Sequence, residues 1–237
     1  MRIIFFVLST LIITSCGFLD KKVKGNGNVI TEKKDLKNFH SIYVAGAMNV
    51  QVRQAPQNAV SISTDENLIQ YLELFVDDNI LIVRQREGYN LQPTKGLILY
   101  ASAPDFRDIT VSGSGDIRSE NTIISNEPLS IQVSGSGDID LDVDLASIHS
   151  SVSGSGSVNL SGRTDVLDID ISGSGDIRCF DLISNDVSLD LSGSSDAEVT
   201  ANRKLNVSAS GSADVLYKGN AAVTKSISGS GSVRKVN

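Results

Sequence analysis

Leu129-Ser130-Ile131-Gln132-Val133-Ser134-Gly135-Ser136-Gly137-Asp138-Ile139-Asp140-Leu141-Asp142-Val143 is the stretch from which the fold of this chain is read. Apolar and polar residues alternate on both sides of Ser134-Gly135-Ser136-Gly137. This is period two, the pattern of a strand with one buried face. Both glycines fall on the apolar side of the count. The same parity recurs at Val152-x-Gly154-x-Gly156-x-Val158 and at Ile171-x-Gly173-x-Gly175-x-Ile177. Ser195 and Ala213 stand where the second glycine changes. Small residues alone at these inward places imply a bend, or a backbone that comes close across the core.

The motif repeats. Ser-Gly-Ser begins at Ser112, Ser134, Ser153, Ser172, Ser192, Ser210 and Ser228, and successive first glycines are 22, 19, 19, 20, 18 and 18 residues apart. A unit this short cannot bury its own apolar face and must stack on its neighbours. Coils of 18–22 residues match two or three short strands plus corners, whereas a propeller blade needs about twice that length. The connections are too short for helical crossovers, and no Leu-x-x-Leu-x-Leu pattern is present. The expected fold is all-β, a right-handed parallel β-helix-like solenoid.

Looser copies extend toward the N-terminus. Val44-Ala45-Gly46-Ala47-Met48-Asn49-Val50 keeps the parity, with Met48 in the second small site. Gly25-Asn26-Gly27-Asn28-Val29 fits 21 residues earlier. Phe39-x-x-Ile42 mirrors Phe106-x-x-Ile109. Residues 50–103 lack the glycine motif but alternate, with a hairpin expected over Leu74–Val83 turning at Asp77-Asp78-Asn79. Residues 25–237 therefore read as one solenoid domain, with less regular coils over 25–103 at the start of the stack and regular repeats over 104–237.

The first residues differ in kind. Met1-Arg2 precedes an apolar run from Ile3 to Ile13, too short to span a bilayer and of signal-peptide length. Ile13-Thr14-Ser15-Cys16 resembles the bacterial lipobox. Residues 1–15 read as a lipoprotein signal peptide, Cys16 as the lipidated residue, and 16–24 as a tether. The expected location is the cell envelope, lipid-anchored at the outer membrane.

Charge limits the partners. The chain carries 21 Lys+Arg against 28 Asp+Glu, a formal net charge of −7. That disfavours nucleic acid and keeps a repetitive sheet soluble. With Cys16 lipidated, Cys179 has no partner for an intrachain disulfide, and its parity makes it a buried thiol.

Outward residues form three columns, about 4.8 Å per step. The Ser column Ser114, Ser136, Ser155, Ser174, Ser194, Ser212 and Ser230 is the candidate binding face. The acidic column runs Asp116, Asp138, Ser157, Asp176, Asp196, Asp214, Ser232. Like charges at that spacing repel by about 1 kcal/mol per pair in water. Either backbone N–H groups in nearby turns or cations must offset this. Calcium at Asp116, Asp138, Asp176, Asp196 and Asp214 is the one cofactor reading. The order Gly-x-Gly-Asp-apolar is one residue short of the calcium-binding nonapeptide, so Asp and Ser bonded to local backbone fit better, and no cofactor is expected.

Catalysis has little to build on. His40 and His149 are the two histidines, more than one hundred residues apart, and a Ser-His-Asp site needs three groups converging in a cleft. Coils this short leave no room for the long loops of β-helical polysaccharide-cleaving enzymes. With no Trp and five Tyr, a sugar-stacking platform is poorly supplied. The chain reads as a non-enzyme.

The lipoprotein signal, the Gly-Asn-Gly-Asn-Val start, the Phe-x-x-Ile-x-Val-x-Gly segment and the Ser-Gly-Ser-Gly-Asp-Ile repeats together resemble the "putative auto-transporter adhesin, head GIN domain" family, from about Val29 onward. The resemblance implies a secreted β-helical head with an adhesin-like role and brings no catalytic or binding residues with it. The chain shows no transporter barrel, so attachment is expected through lipid at Cys16. Two functions follow: a rigid module presenting its Ser/Asp face to a glycan or protein ligand, or an assembly protein that associates with itself or a partner through a coil edge left open unless Arg234 and Lys235 guard it.

Overall fold

Alternation becomes strand wherever one row of side chains is buried, and here nearly the whole chain obeys. A computed structural model describes residues 20–236. The signal sequence and Cys16 lie outside the described residues. The strands are β1 Lys21–Lys24, β2 Val29–Lys34, β3 Ser41–Gly46, β4 Asn49–Gln54, β5 Ala59–Asp65, β6 Leu72–Asp77, β7 Ile80–Gln85, β8 Tyr89–Gln92 and β9 Ile98–Ala103. They continue as β10 Asp108–Gly113, β11 Ile117–Ser119, β12 Ile123–Ser125, β13 Leu129–Gly135, β14 Ile139–Gly154, β15 Ser157–Gly173, β16 Asp176–Lys218, β17 Ala222–Gly229 and β18 Ser232–Lys235. A 3-10 turn, Glu66–Tyr71, follows β5.

From β10 onward the chain is a parallel β-solenoid, as its period predicts. Each rung pairs residue for residue with the one before: Val111 with Val133, Val133 with Val152, Val152 with Ile171, Ile171 with Leu191. From β10 to Val215 the inward row is buried and almost wholly apolar, and one hydrophobic cluster runs from Phe39 to Val215. Fully burying a side chain of this size contributes about 1.5–3 kcal/mol.

The corner glycines do not sit where the parity count puts them. Gly113, Gly135, Gly154, Gly173, Gly193, Gly211 and Gly229 are at least partly exposed, with φ between +119° and +141°. They turn the corner in a backbone conformation that L side chains rarely adopt. In the first six motifs the second small residue is the buried one: Gly115, Gly137, Gly156, Gly175, Ser195 and Ala213. Of the two causes the sequence allowed, the bend is present, and the close approach runs along the stack rather than across the core. A Cβ on Gly135 would come within 3.0 Å of the Gly113 carbonyl oxygen, one on Gly154 within 3.0 Å of Gly135, and so on up the column.

The stack is out of sequence order at its base. β3 and β4 form a rung that carries β10 and β11 on one side, through Ile42–Ile109 and Val50–Ile117. On its other side lie β7 and β9, also parallel, through Ile42–Leu81 and Val50–Leu99. Residues 80–103 thus supply the rung beneath 41–54, and the chain returns past that rung to begin β10. The alternation of residues 50–103 is genuine, but these are not coils laid down in chain order. Antiparallel strands finish the sheet at its two ends: β6 beside β7, and β5 then β2 beside β9. The β6–β7 hairpin turns through Asp78 and Asn79, φ 45° and 61°, two successive left-handed residues suited to a two-residue loop. Phe39 and Phe106 are both buried, and Gly46 is in register with Gly113, with Met48 buried in the small site.

Gly25-Asn26-Gly27-Asn28 is no rung. It wraps the carboxylate of Asp65, which is fully buried. Asp65 Oδ1 accepts the Gly27 N–H at 2.7 Å and the Thr94 hydroxyl at 2.8 Å, and Oδ2 accepts the Thr94 N–H at 2.8 Å. Asn26 N–H donates to Asn67 Oδ1, and Asn67 Nδ2 donates to the Lys24 carbonyl. Glycine is needed because a side chain on Gly25 would overlap that carboxylate. The spacing resembled the repeat, but the cause is a local clamp holding β1 to the lobe.

Candidate functional site

Outward serines are set by the glycine ladder beneath them. The amides of Ser114, Ser136, Ser155, Ser174 and Ser230 donate to Gly46, Gly113, Gly135, Gly154 and Gly211 carbonyls at 2.8–3.1 Å. Their hydroxyls, with those of Ser194 and Ser212, belong to exposed residues. The structure brings the predicted serines together as one column on one corner.

The acidic column is also assembled, with a different partner from the local turn expected. Asp116 Oδ1 accepts the Asp138 N–H at 3.2 Å, and Asp138 Oδ1 accepts the Ser157 N–H at 2.9 Å, each on the following rung. Higher up, Ser232 Oγ donates to Asp214 Oδ1 at 2.6 Å. Asp176 takes Arg178 Nη2 at 2.9 Å. A hydrogen bond to a charged acceptor contributes about 1.5–3 kcal/mol, against about 1 kcal/mol of repulsion between exposed neighbours. Asp116, Asp138 and Asp214 are therefore held by bonds between rungs, and Asp176 by Arg178 on its own rung. Among the described residues no group of three or more His, Cys, Asp or Glu side chains is placed to hold a metal.

One constellation was not legible beforehand. His40 Nδ1 lies 3.0 Å from Ser41 Oγ, and Ser41 Oγ donates to Asp108 Oδ2 at 2.9 Å. A nucleophilic site needs the histidine between serine and carboxylate. Here the serine is in the middle and only 1% exposed, so the trio staples β3 to β10. His149 faces Asp170 at 3.7 Å on the solvated surface. Cys179 is buried as its parity predicts, and burial pushes its thiol up to about 12.

At the far end, β17 lays Val223, Lys225 and Ile227 over Leu205, Val207 and Ala209. The inward row that is apolar below thus carries a lysine here, and Lys225 is exposed.

A cleft of about 510 Å³ opens on the outer face of the base, between β2, β4, β5, β9 and β11. Register creates it. Lys33 lies opposite Ser61, Ser61 opposite Tyr100, and Tyr100 opposite Gln51. The adjacent row holds Ala59, Ser102 and Arg53, with Glu120 at its end and Asp35 at the rim. These residues are scattered over 88 positions of sequence, and only the out-of-order stacking gathers them. Among the described residues no helix is long and apolar enough to cross a membrane.

Comparison with known proteins agrees with this architecture. The family described as "Putative auto-transporter adhesin, head GIN domain" matches residues 38–221. Three solved structures resemble the chain over nearly its whole length. A putative adhesin from Bacteroides fragilis has a TM-score of 0.83 at 20% identity, covering 90% of this chain and 100% of its own. A putative lipid binding protein from Parabacteroides distasonis has a TM-score of 0.75 at 25% identity, covering 92% and 100%. A putative adhesin from Parabacteroides merdae has a TM-score of 0.70 at 23% identity, covering 92% and 100%. No curated protein matches the chain.

Proposed function

The chain belongs to the "Putative auto-transporter adhesin, head GIN domain" family, and from that premise we propose that it is a non-catalytic, lipid-anchored binding module of the cell envelope. The observation that carries this reading is the exposed serine column, repeated at rung spacing from Ser114 to Ser230 on a backbone held rigid by the glycine ladder. A row of identical weak contacts gains affinity through multivalency rather than through any one deep site. The apolar run from Ile3 to Ile13, followed by Thr14-Ser15-Cys16, supports export and lipid attachment. The names of the similar proteins, two putative adhesins and a putative lipid binding protein, accord with a binding role at a surface.

Association through the outermost rung is the weaker reading, because Lys225 stands in its inward row. Another rung laid over it would bury an ammonium group without a partner, at a cost that apolar stacking does not offset. The deciding experiment is protease and antibody accessibility on intact cells, with a periplasmic lipoprotein as control. Exposure at the surface is expected. Complete protection overturns the adhesin role and directs the search to partners inside the envelope.

A further inference from the structure

From the cleft at the base of the solenoid we infer a second, specific contact: a binding site for an acidic saccharide, gripped by Lys33 and Arg53 across the ring of Tyr100. Three observations carry it. Lys33 and Arg53 line the same cleft, and neither forms an ion pair with any described residue. The lining sets Lys33, Lys34 and Arg53 against Asp35 and Glu120, a local excess of positive charge on an acidic protein. That excess stands in the half of the chain with no net charge, since residues 121–237 hold 8 basic and 15 acidic residues and so carry the whole −7. The third observation is the lining. Tyr100 is half-buried, fixed in the row between Ser61 and Gln51. Among the described residues the side chains of Gln51, Ser61 and Tyr100 make no hydrogen bond, so their polar ends are available.

The chemistry of the lining selects the ligand. A tyrosine ring offers an apolar face and a hydroxyl, which suits one face of a pyranose and its rim. Ser61 and Gln51 can donate and accept, as sugar hydroxyls require. Asp35 and Glu120 accept hydrogen bonds from sugar hydroxyls, and with them the lining carries a net charge of about +1, which suits one sugar carboxylate better than a compact dianion such as phosphate. A neutral sugar gives no use to two unpaired cations, whereas a sugar carboxylate takes Arg53 as a fork and Lys33 as a point charge. The cleft volume, about 510 Å³, falls within the roughly 300–1,000 Å³ of small-molecule sites. This inference rests on the binding-module reading and moves the specific contact from the serine column to the base.

The test is calorimetric titration of the full-chain protein in detergent with trigalacturonate, 3′-sialyllactose, maltotriose and inorganic phosphate. At least one acidic saccharide is expected to bind about tenfold or more tighter than maltotriose and phosphate, with affinity falling as salt rises. Arg53→Ala and Lys33→Ala, both at exposed positions, are each expected to weaken it by about tenfold, with unchanged melting curves. A Ser136→Ala/Ser174→Ala double variant is expected to bind as the parent does. Failure of both acidic saccharides to bind, equal binding of phosphate, or indifference to Arg53→Ala and Lys33→Ala overturns the inference. Loss of binding in the serine variant alone also overturns it, while leaving the binding-module reading intact. That reading falls only on protection at the cell surface.

Discussion

The carboxylate of Asp65 fills the space in which a side chain on Gly25 would begin. The two residues, forty positions apart, form the clamp that ties the N-terminal segment to the lobe. The Thr94 N–H chiefly, with the Thr94 hydroxyl and the Gly27 N–H, holds the Asp65 carboxyl below its ordinary range despite the opposing effect of burial. A carboxylate with a depressed folded value stabilises fully above its unfolded value of about 3.9 and loses that contribution as pH falls through the lower folded value. Acid should therefore free β1 and Gly25–Asn28 before the solenoid melts. Hydrogen exchange at the Gly27 and Thr94 amides checks this. Asp65→Asn should raise exchange at both amides already at neutral pH, and Gly25→Ala should do the same by steric overlap. Amides as protected in Asp65→Asn as in the parent would refute the clamp.

The two glycines of one motif should differ in their response to alanine. Gly173 has φ +141° and faces the Gly154 carbonyl, whereas Gly175 faces Gly156 and the Val152 side chain with ordinary φ. Both substitutions crowd the neighbouring rung. Only Gly173→Ala adds backbone strain, about 1–3 kcal/mol. Denaturant unfolding should thus rank Gly173→Ala well below Gly175→Ala, and a reversed order would contradict the corner geometry.

Ser195 and Ser150 are buried, and neither hydroxyl has a hydrogen-bond partner among the described residues. Ser150 interrupts an aliphatic column between Ile131 and Ile169. Ser195 holds the site that Ala213 fills one motif later. Desolvating a hydroxyl without a partner costs about 1–3 kcal/mol, so Ser195→Ala and Ser150→Ala should be neutral or stabilising by up to about 1 kcal/mol. A clear loss of stability in thermal melts would show that these hydroxyls are satisfied.

Cys179 should be silent to thiol reagents in the folded protein. The thiolate is the reactive species, and a thiol raised to about 12 by burial yields almost none at pH 8. Peptide mapping after iodoacetamide should find Cys179 unmodified in the native protein and labelled after denaturation.

The Ser-Gly-Ser-Gly-Asp repeats made the solenoid legible because one rule, burial of every second residue, governs each rung alike. The same was true of the hairpin at Asp78-Asn79, where two left-handed residues leave a local signature. Order of stacking left none. Val83 and Val111 both pair with Val44, and alternation reads the same whichever side of a rung a strand occupies. Gly25-Asn26-Gly27 misled for a related reason, since glycine near polar residues serves a corner and a carboxylate clamp equally well. The Ser114-to-Ser230 column followed from periodicity. The Lys33–Arg53–Tyr100 cleft did not, because it exists only once 80–103 has been laid beneath 41–54.

That inverted base also gives the molecule a direction of assembly. The rung at 41–54 meets nothing earlier in the chain on either flank; both of its neighbours are made after it. A polypeptide that emerges N-terminus first therefore cannot close the foundation until residue 103 has appeared. Long-range closure of this kind is the slow part of folding, whereas each later rung needs only its immediate predecessor. The chain must stay open until its foundation can close, and from there it can zip toward the C-terminus as fast as it is delivered.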